Sequence, residues 1–268
     1  MLIAQISDLH IQADGKHKEL IQAERHLTTC IQALNRLAPR PDLVVITGDL
    51  TERGRRQEYM TLKPLLAELD MPYLLIPGNH DSPAMLREVF HEHAYLQRGP
   101  ASDSPFIQYV IDDWPLRIVA LDTTIPMRSE GGLCAERLQW LSDTLAQAPE
   151  APTLILMHHP PFQTGIREMD ELGLLTGREA FAGIIAPYHN IERILCGHLH
   201  RTMLCRVGPT VASTCPGTAH QIVLDLKPDA QALSFNFEPP GYQLHWQGAH
   251  GLVTHHAVIG EFPGPHPF

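Results

Sequence analysis

Leu43-Val44-Val45-Ile46 runs almost directly into Gly48-Asp49. A short, β-branched, uninterrupted apolar run reads as a strand covered on both faces, the habit of a parallel sheet. The glycine and carboxylate that follow deliver a polar group at its carboxyl end. The same pattern recurs on either side. Residues 2–7 form an apolar run ending at Asp8-Leu9-His10, and Tyr73-Leu74-Leu75-Ile76 ends at Gly78-Asn79-His80-Asp81. Farther along, Thr153-Leu154-Ile155-Leu156-Met157 ends at His158-His159, and Ile194-Leu195 leads into Cys196-Gly197-His198-Leu199-His200. In layered α/β proteins ligands bind outside the carboxyl ends of strands, so motifs spread over residues 8 to 200 can converge on one place.

Between these runs the period changes to that of a helix. Residues 18–37 carry Leu20, Leu27, Ile31, Leu34 and Leu37 at helical spacing. Residues 55–69 read as a second helix, which Pro64 should kink or divide. Strands are expected near 106–111 and 116–121, helices over 135–147 and 177–187, and a loop from Pro160 to Thr176. After His200 the pattern turns to short strands at 202–207, 210–214, 220–226, 233–237, 241–247 and 251–258, then an extended arm over 262–268. No internal repeat is visible. The order predicts an α/β layered domain over residues 1–215, with a β-rich C-terminal extension over 216–268.

Composition narrows the function. The chain has 268 residues, 44% of them hydrophobic, enough to bury a full core. Thirty acidic against 20 basic residues give a net charge of -10, which argues against a nucleic-acid groove lined by Lys and Arg. A small phosphate ester is compatible with that charge, since bound cations can attract it locally. No segment reads as membrane-spanning, and the N-terminus reads as a strand, not a signal peptide. The five cysteines are odd in number and lack any C-x-x-C pair, so reduced thiols in a cytoplasmic protein are expected. Seventeen histidines, several in clusters, point to metal binding.

The strand-end motifs offer Asp, His and Asn, and Cys196 is the one thiol beside them. Oxygen and imidazole donors suit Fe, Mn, Zn, Co or Ni. Asp8 and His10 stand two residues apart, as do His198 and His200, so each pair can face one side of a continuing strand. Each motif alone has an ordinary reading as a turn, a helix cap or a polar strand end. Five together in this order do not.

D-x-H, G-D, G-N-H-D, H-H and G-H-x-H, in that order, resemble the calcineurin-like metallophosphoesterase family across residues 1–215. The resemblance implies a β-sandwich flanked by helices (an αββα fold) and two divalent metal ions, of Fe, Mn, Zn or Co. Asp8, His10, Asp49 and His200 would hold the first ion. Asp49, Asn79, His158 and His198 would hold the second, with Asp49 bridging both. His80 would stand beside the leaving group without ligating. The implied reaction is hydrolysis of a small phosphodiester by metal-bound hydroxide. In look the chain is similar to bacterial class III cyclic-nucleotide phosphodiesterases and to glycerophosphodiesterases, which makes cyclic AMP or a glycerophosphodiester the candidate substrate. A phosphomonoesterase is the alternative, although it would need added cationic contacts. A non-catalytic scaffold is the remote one, since such relatives lose ligands and this chain keeps all seven, with His80.

Other residues have weaker expectations. His220, in Gly217-Thr218-Ala219-His220-Gln221, resembles a segment near the substrate pocket of glycerophosphodiesterase-like members and reads either as a substrate contact or as a structural hydrogen bond. Phe162, on a loop with Arg167, Met169 and Asp170, walls the pocket or lies on an ordinary surface. His159 is expected to pack or to hydrogen-bond behind the ligands, Asp81 to cap a helix opening at Ser82-Pro83, and Arg53, Arg55 and Arg56 to form a solvated helix start. The strands of 216–268 read as a cap or a contact between subunits, and a homo-oligomer is expected.

Overall fold

The computed structural model describes residues 1–99, 104–227, 229, 232–264 and 266–267. Its first part alternates β1 (Leu2–Ile6), α1 (Lys18–Ile21), α2 (Ala23–Asn35), β2 (Leu43–Thr47), α3 (Arg56–Leu66), β3 (Tyr73–Ile76) and α4 (Pro83–Val89). A 3-10 turn over Ala94–Gln97 leads to β4 (Tyr109–Ile111), β5 (Arg117–Ala120), β6 (Gly131–Gly132), α5 (Ala135–Gln147) and β7 (Thr153–Leu156). Next come α6 (Arg167–Glu171), β8 (Leu174–Thr176), α7 (Arg178–Ile185) and β9 (Ile191–Cys196). The chain closes with β10 (Met203–Val207), β11 (Thr210–Thr214), β12 (Gln221–Ile222), β13 (Phe235–Asn236), β14 (Gly241–Gly248) and β15 (Gly251–Val258).

Two sheets face each other. One runs β15-β14-β1-β2-β3 and the other β10-β11-β9-β7-β5-β4. β1, β2 and β3 pair in parallel, as do β5, β7, β9 and β11, so their carboxyl ends lie side by side. The alternation along the second sheet shows the layering. Ile118, Ala120, Leu154, Leu156 and Leu195 join the core shared with the first sheet, while Val119, Ile155 and Ile194 pack with Leu141, Leu145, Phe181 and Ile185 of α5 and α7. This is the αββα sandwich. The C-terminal residues take part in it, because β14 pairs antiparallel with β1 from Leu2↔Trp246 to Gln5↔Gln243.

Some local expectations change. The helix read over 18–37 is divided at Gln22, whose φ of 51° and ψ of 46° are left-handed and cannot continue an α-helix. Pro64 does not divide α3 but stands in its last turn; the carbonyl it deprives of a donor belongs to exposed Met60. The strand read over 220–226 is reduced to Gln221–Ile222, and the loop from 160 to 176 contains α6 and β8. Of the expected arm, residues 262–264 and 266–267 form no strand or helix; Pro265 and Phe268 lie outside the described residues.

A polar seam crosses the middle of the sandwich. Gln5 on β1 donates from Nε2 to Thr47 Oγ1 and to the carbonyl of Cys196 on β9, both at 2.9 Å, tying one sheet to the other. Its Oε1 faces Nε2 of buried His245, at 3.1 Å, while His245 Nδ1 lies 2.9 Å from Thr254 Oγ1. This fits a neutral ring that donates to Gln5 and accepts from Thr254. Burial, then the charge of Arg193, pushes the His245 pKa from 6.5 down to about 3. Above pH 6.5 the ring is neutral in both folded and unfolded chains. Between 6.5 and about 3 the unfolded chain binds a proton that the folded chain refuses, so stability falls as pH falls. His245→Gln should therefore flatten the acid loss of stability by roughly 1.4 kcal/mol per pH unit in that window. Urea midpoints of both proteins from pH 7 to 5 test this; parallel curves would refute it.

Candidate metal centre

Five strand-end residues hold left-handed backbone: Asp8 (φ 55°), His10 (46°), Asp49 (48°), His198 (71°) and His200 (49°). Such conformations cost of order 1–3 kcal/mol each and persist only where surrounding structure over-determines them. They also revise the sequence argument. Asp8 and His10 do share a site, but not by strand alternation, since β1 ends at Ile6 and β9 ends at Cys196 before His198. Tight turns beyond the strands aim these side chains.

Backbone hydrogen bonds fix those turns. The amides of Asp8 and His10 donate to the carbonyls of Gly48 and Asp49, at 3.1 and 3.0 Å, so the β1–β2 ladder continues past both strands. Gly197 N donates to His158 O at 3.1 Å, joining the other two loops. Gly48 has φ 93°, and a Cβ there would collide with the His158 ring and the backbone of Gly78. A Cβ at Gly78 would collide with Asp49 itself. Only glycine lets these loops approach so closely.

The donor atoms form two adjoining sets. Those of Asp8, His10, Asp49 and His200 lie within 4.8 Å of one another. Within this set His10 Nε2 lies 3.0 Å from His200 Nε2 and 3.5 Å from Asp49 Oδ2, and His200 Nε2 lies 3.6 Å from Asp8 Oδ1. In the other set Asn79 Oδ1 lies 3.1 Å from His158 Nε2 and 3.0 Å from His198 Nδ1. His158 Nε2 is 3.4 Å from Asp49 Oδ2. One carboxylate oxygen thus faces both sets.

This arrangement fits cations. Asp8 is 0% and Asp49 2% exposed, and among the described residues neither forms an ion pair with Lys or Arg. A buried carboxylate without a partner is costly. Among the described residues, buried Asp8 Oδ2 has no hydrogen-bond partner. Two imidazole nitrogens 3.0 Å apart can share at most one proton. A cation among the donors of each set would meet the carboxylate charge and take up the bare imidazole nitrogens that face it.

Electrostatics point the same way. Burial works against a charged His10, yet hydrogen bonding to Glu52 and the charges of Asp49, Glu52 and Asp8 prevail and raise its pKa to about 9. His158 is likewise raised to about 9, against burial, chiefly by Asp49. Burial also opposes ionisation of Asp49, but His158 and His80 hold it well below the usual carboxylate range. Burial lowers His198 and His200. Protonated His10 and His158 thus neutralise the cluster where a metal would, and metal binding would displace those protons.

Outer partners orient the rings. Glu52 Oε2 lies 2.9 Å from His10 Nδ1, Thr47 O lies 2.8 Å from His158 Nδ1, and His220 O lies 3.0 Å from His200 Nδ1. Each Nδ1–H so held turns Nε2 toward the donor set. His80 Nδ1 lies 2.7 Å from Glu52 O, and its amide donates to Asp49 Oδ1 at 3.0 Å. Glu52 went unnoticed in the sequence, where it stands three residues past Asp49 without a motif of its own. Asp81 was misread. Its carboxylate accepts from Leu50 N, Thr51 N, Thr51 Oγ1, Tyr59 OH and Gly78 N, bracing the Asp49 loop, while Ser82 caps α4. His159 bonds through both nitrogens, to Thr123 Oγ1 and Ser129 O, and burial with the charge of His158 drives its pKa down to about 3.

A cavity of about 500 Å³ opens over the cluster, and His80, His220, Met169, Ile222, Leu233 and Phe235 contribute to its wall. Phe162 does not. It packs beside Ile166, Met169, Leu199 and Ile222, because α6 folds the loop so that Met169 and Leu172, not Phe162, reach the cavity. Arg55 and Arg56 pair with Asp14 and Glu88; Arg53 also meets Asp14, yet lines the cavity.

The chain matches the calcineurin-like phosphoesterase family over residues 1–202. It is 39% identical to a probable glycerophosphodiester phosphodiesterase of Arcobacter nitrofigilis, covering 100% of this chain and 97% of that protein. It is 36% identical to a probable cyclic nucleotide phosphodiesterase of Synechococcus sp., over 91% of each chain. A dimetal phosphatase from Danio rerio shares the fold, with a TM-score of 0.66, 16% identity and coverage of 97% of this chain and 99% of that one. The protein belongs to the calcineurin-like phosphoesterase family.

Because Glu52 orients His10, Glu52→Gln should weaken Mn²⁺ binding by about 10–100-fold. Calorimetric titration of chelator-stripped protein measures this, and unchanged affinity would remove Glu52 from the site.

Proposed function

We propose that the protein hydrolyses small phosphodiesters at a dinuclear metal centre. The observation that carries this reading is Asp49 Oδ2, within 3.5 Å of both His10 Nε2 and His158 Nε2 and so placed to serve two ions at once. Asp8, His10, Asp49 and His200 would hold one ion. Asp49, Asn79, His158 and His198 would hold the other. When bound, such ions (Fe, Mn, Zn or Co by donor type) activate water and withdraw charge from the phosphate oxygens. Asn79 contributes a neutral oxygen, which limits negative charge facing an anionic ester. With Nδ1–H donating to the Glu52 carbonyl, His80 turns Nε2 toward the departing oxygen; as the imidazolium, with both nitrogens protonated, it would give that oxygen the Nε2 proton and return to the neutral ring, a role typically worth 10²–10⁴-fold.

A glycerophosphodiester or a cyclic nucleotide is the substrate we favour, because the two relatives are described as probable phosphodiesterases of these kinds and the cavity has room for a small ester. His220 presents its ring to the cavity and its carbonyl to His200, so it combines a substrate-facing wall with a structural hydrogen bond. The segment 216–268 supplies part of the wall through Leu233 and Phe235. We also propose a homo-oligomer: β15 is an edge strand with exposed Val253 and Val258, an invitation to pair with a second copy. A cytoplasmic setting agrees with the five free cysteines, and among the described residues no helix is long and apolar enough to cross a membrane.

With Mn²⁺ added, the protein should turn over bis(p-nitrophenyl) phosphate faster than p-nitrophenyl phosphate. Asp49→Ala should lose at least ~10³-fold of that rate, since it removes the ligand common to both ions. A monoester preference would transfer the reading to a phosphomonoesterase. Chelator should lower the thermal midpoint of the wild type; an unmoved midpoint, with no turnover, would favour a scaffold.

A further inference from the structure

A second depression of about 420 Å³ adjoins the main cavity, and the two share Arg53, Asn79 and His80. We propose that it is the binding groove for the leaving arm of the substrate, and that it selects an uncharged arm with an apolar or aromatic face. This rests on the diesterase reading and adds a specificity subsite to it.

An acyclic phosphodiester, such as a glycerophosphodiester, carries two substituents that diverge from phosphorus. With phosphorus at the cluster, one arm can occupy the main cavity. The other must leave past the wall common to both spaces, where His80 stands. The groove begins on that wall.

Its lining defines the chemistry it accepts. Pro83, Pro105, Phe106, Ile125, Pro126 and Met127 supply apolar surface. Its charged members are engaged internally. Arg87 donates to the carbonyls of Leu96, Ser104, Pro105 and Phe106 at 2.9–3.3 Å. Asp122 accepts from Ile107 N, Thr124 N and Thr124 Oγ1 at 2.7–2.9 Å, and Asp81 is occupied by the Asp49 loop. One face of Phe106 is covered by the Arg137 guanidinium, 4.2 Å from the ring centre. With these groups committed, the groove is left with apolar contact, and among the described residues a charged arm would find no partner there beyond Arg53 at the shared wall.

The rim adds a second indication. Met127 is fully exposed and holds φ 63°, so the chain accepts a strained backbone while leaving a large thioether in water. An apolar arm lying in the groove would bury it, and methionine adapts well to varied apolar partners. Ala84, exposed on the first turn of α4, lines the groove as well.

The test compares metal-loaded wild type with Met127→Ala, which removes a wall, and Ala84→Trp, which fills the space. Both positions are exposed, so the fold should tolerate each. Calorimetry measures affinity for benzyl(methyl)phosphinate and dimethylphosphinate, anions that mimic a diester without an ester bond. The wild type should favour the benzyl compound by about tenfold or more, and both substitutions should erase most of that ratio. Equal affinity for the two compounds in the wild type, or a ratio that both variants retain, would overturn the proposal. Turnover of methyl p-nitrophenyl phosphate by the wild type is followed in parallel. Its absence would sink the diesterase reading, while the phosphinate ratios would still decide the groove.

Discussion

Two carboxylates buried without a lysine or arginine partner among the described residues constrain the whole molecule. Asp8 and Asp49 sit at the ends of adjacent parallel strands, and their anionic charge in a low-dielectric interior must be met by something. Imidazoles answer part of it, because His10 and His158 are held at pKa values of about 9, against the pull of burial. Metal ions would answer the rest, releasing those protons and giving a partner to Asp8 Oδ2, which has none among the described residues. Metal loading would therefore be linked thermodynamically to folding, with every loop of the site contributing to one electrostatic balance.

That balance explains why the backbone accepts strain. Five residues around the cluster are left-handed, and glycines at 48 and 78 let neighbouring loops come within contact of ligand side chains. What holds these turns is the sandwich behind them. The Gln5 seam ties β1 to β9 across the core, so the two sheets that supply the halves of the site are fixed relative to each other. Asp81 does the same locally, gathering five donors around the Asp49 loop. The outer residues spend little on chemistry and much on position.

Much of this was legible in the sequence because parallel strands advertise themselves as short apolar runs, and because their carboxyl ends share one edge of a sheet. The residues that the fold gathers, Asp8, His10, Asp49, Asn79, His158, His198 and His200, each follow such a run. Less legible was anything carried by a single residue without a pattern. Gln22 splits a helix through two backbone angles, with no glycine or proline to announce it. Glu52 orients His10 from a position that reads as an ordinary turn. Asp81 looked like a helix cap because Ser82-Pro83 follow it, and the donors it actually serves come mainly from residues some thirty positions away.

The sequence by itself determined the alternation of strands and helices, the family motifs and the types of donor atom, since these depend on local periodicity and on side-chain chemistry. The tertiary structure decided that one oxygen of Asp49 faces both donor sets, that the C-terminal strand β14 lies against β1, and that Met169 reaches the cavity while Phe162 does not. Those outcomes turn on contacts between residues far apart in the chain and on left-handed turns that tertiary hydrogen bonds impose. No local pattern encodes them.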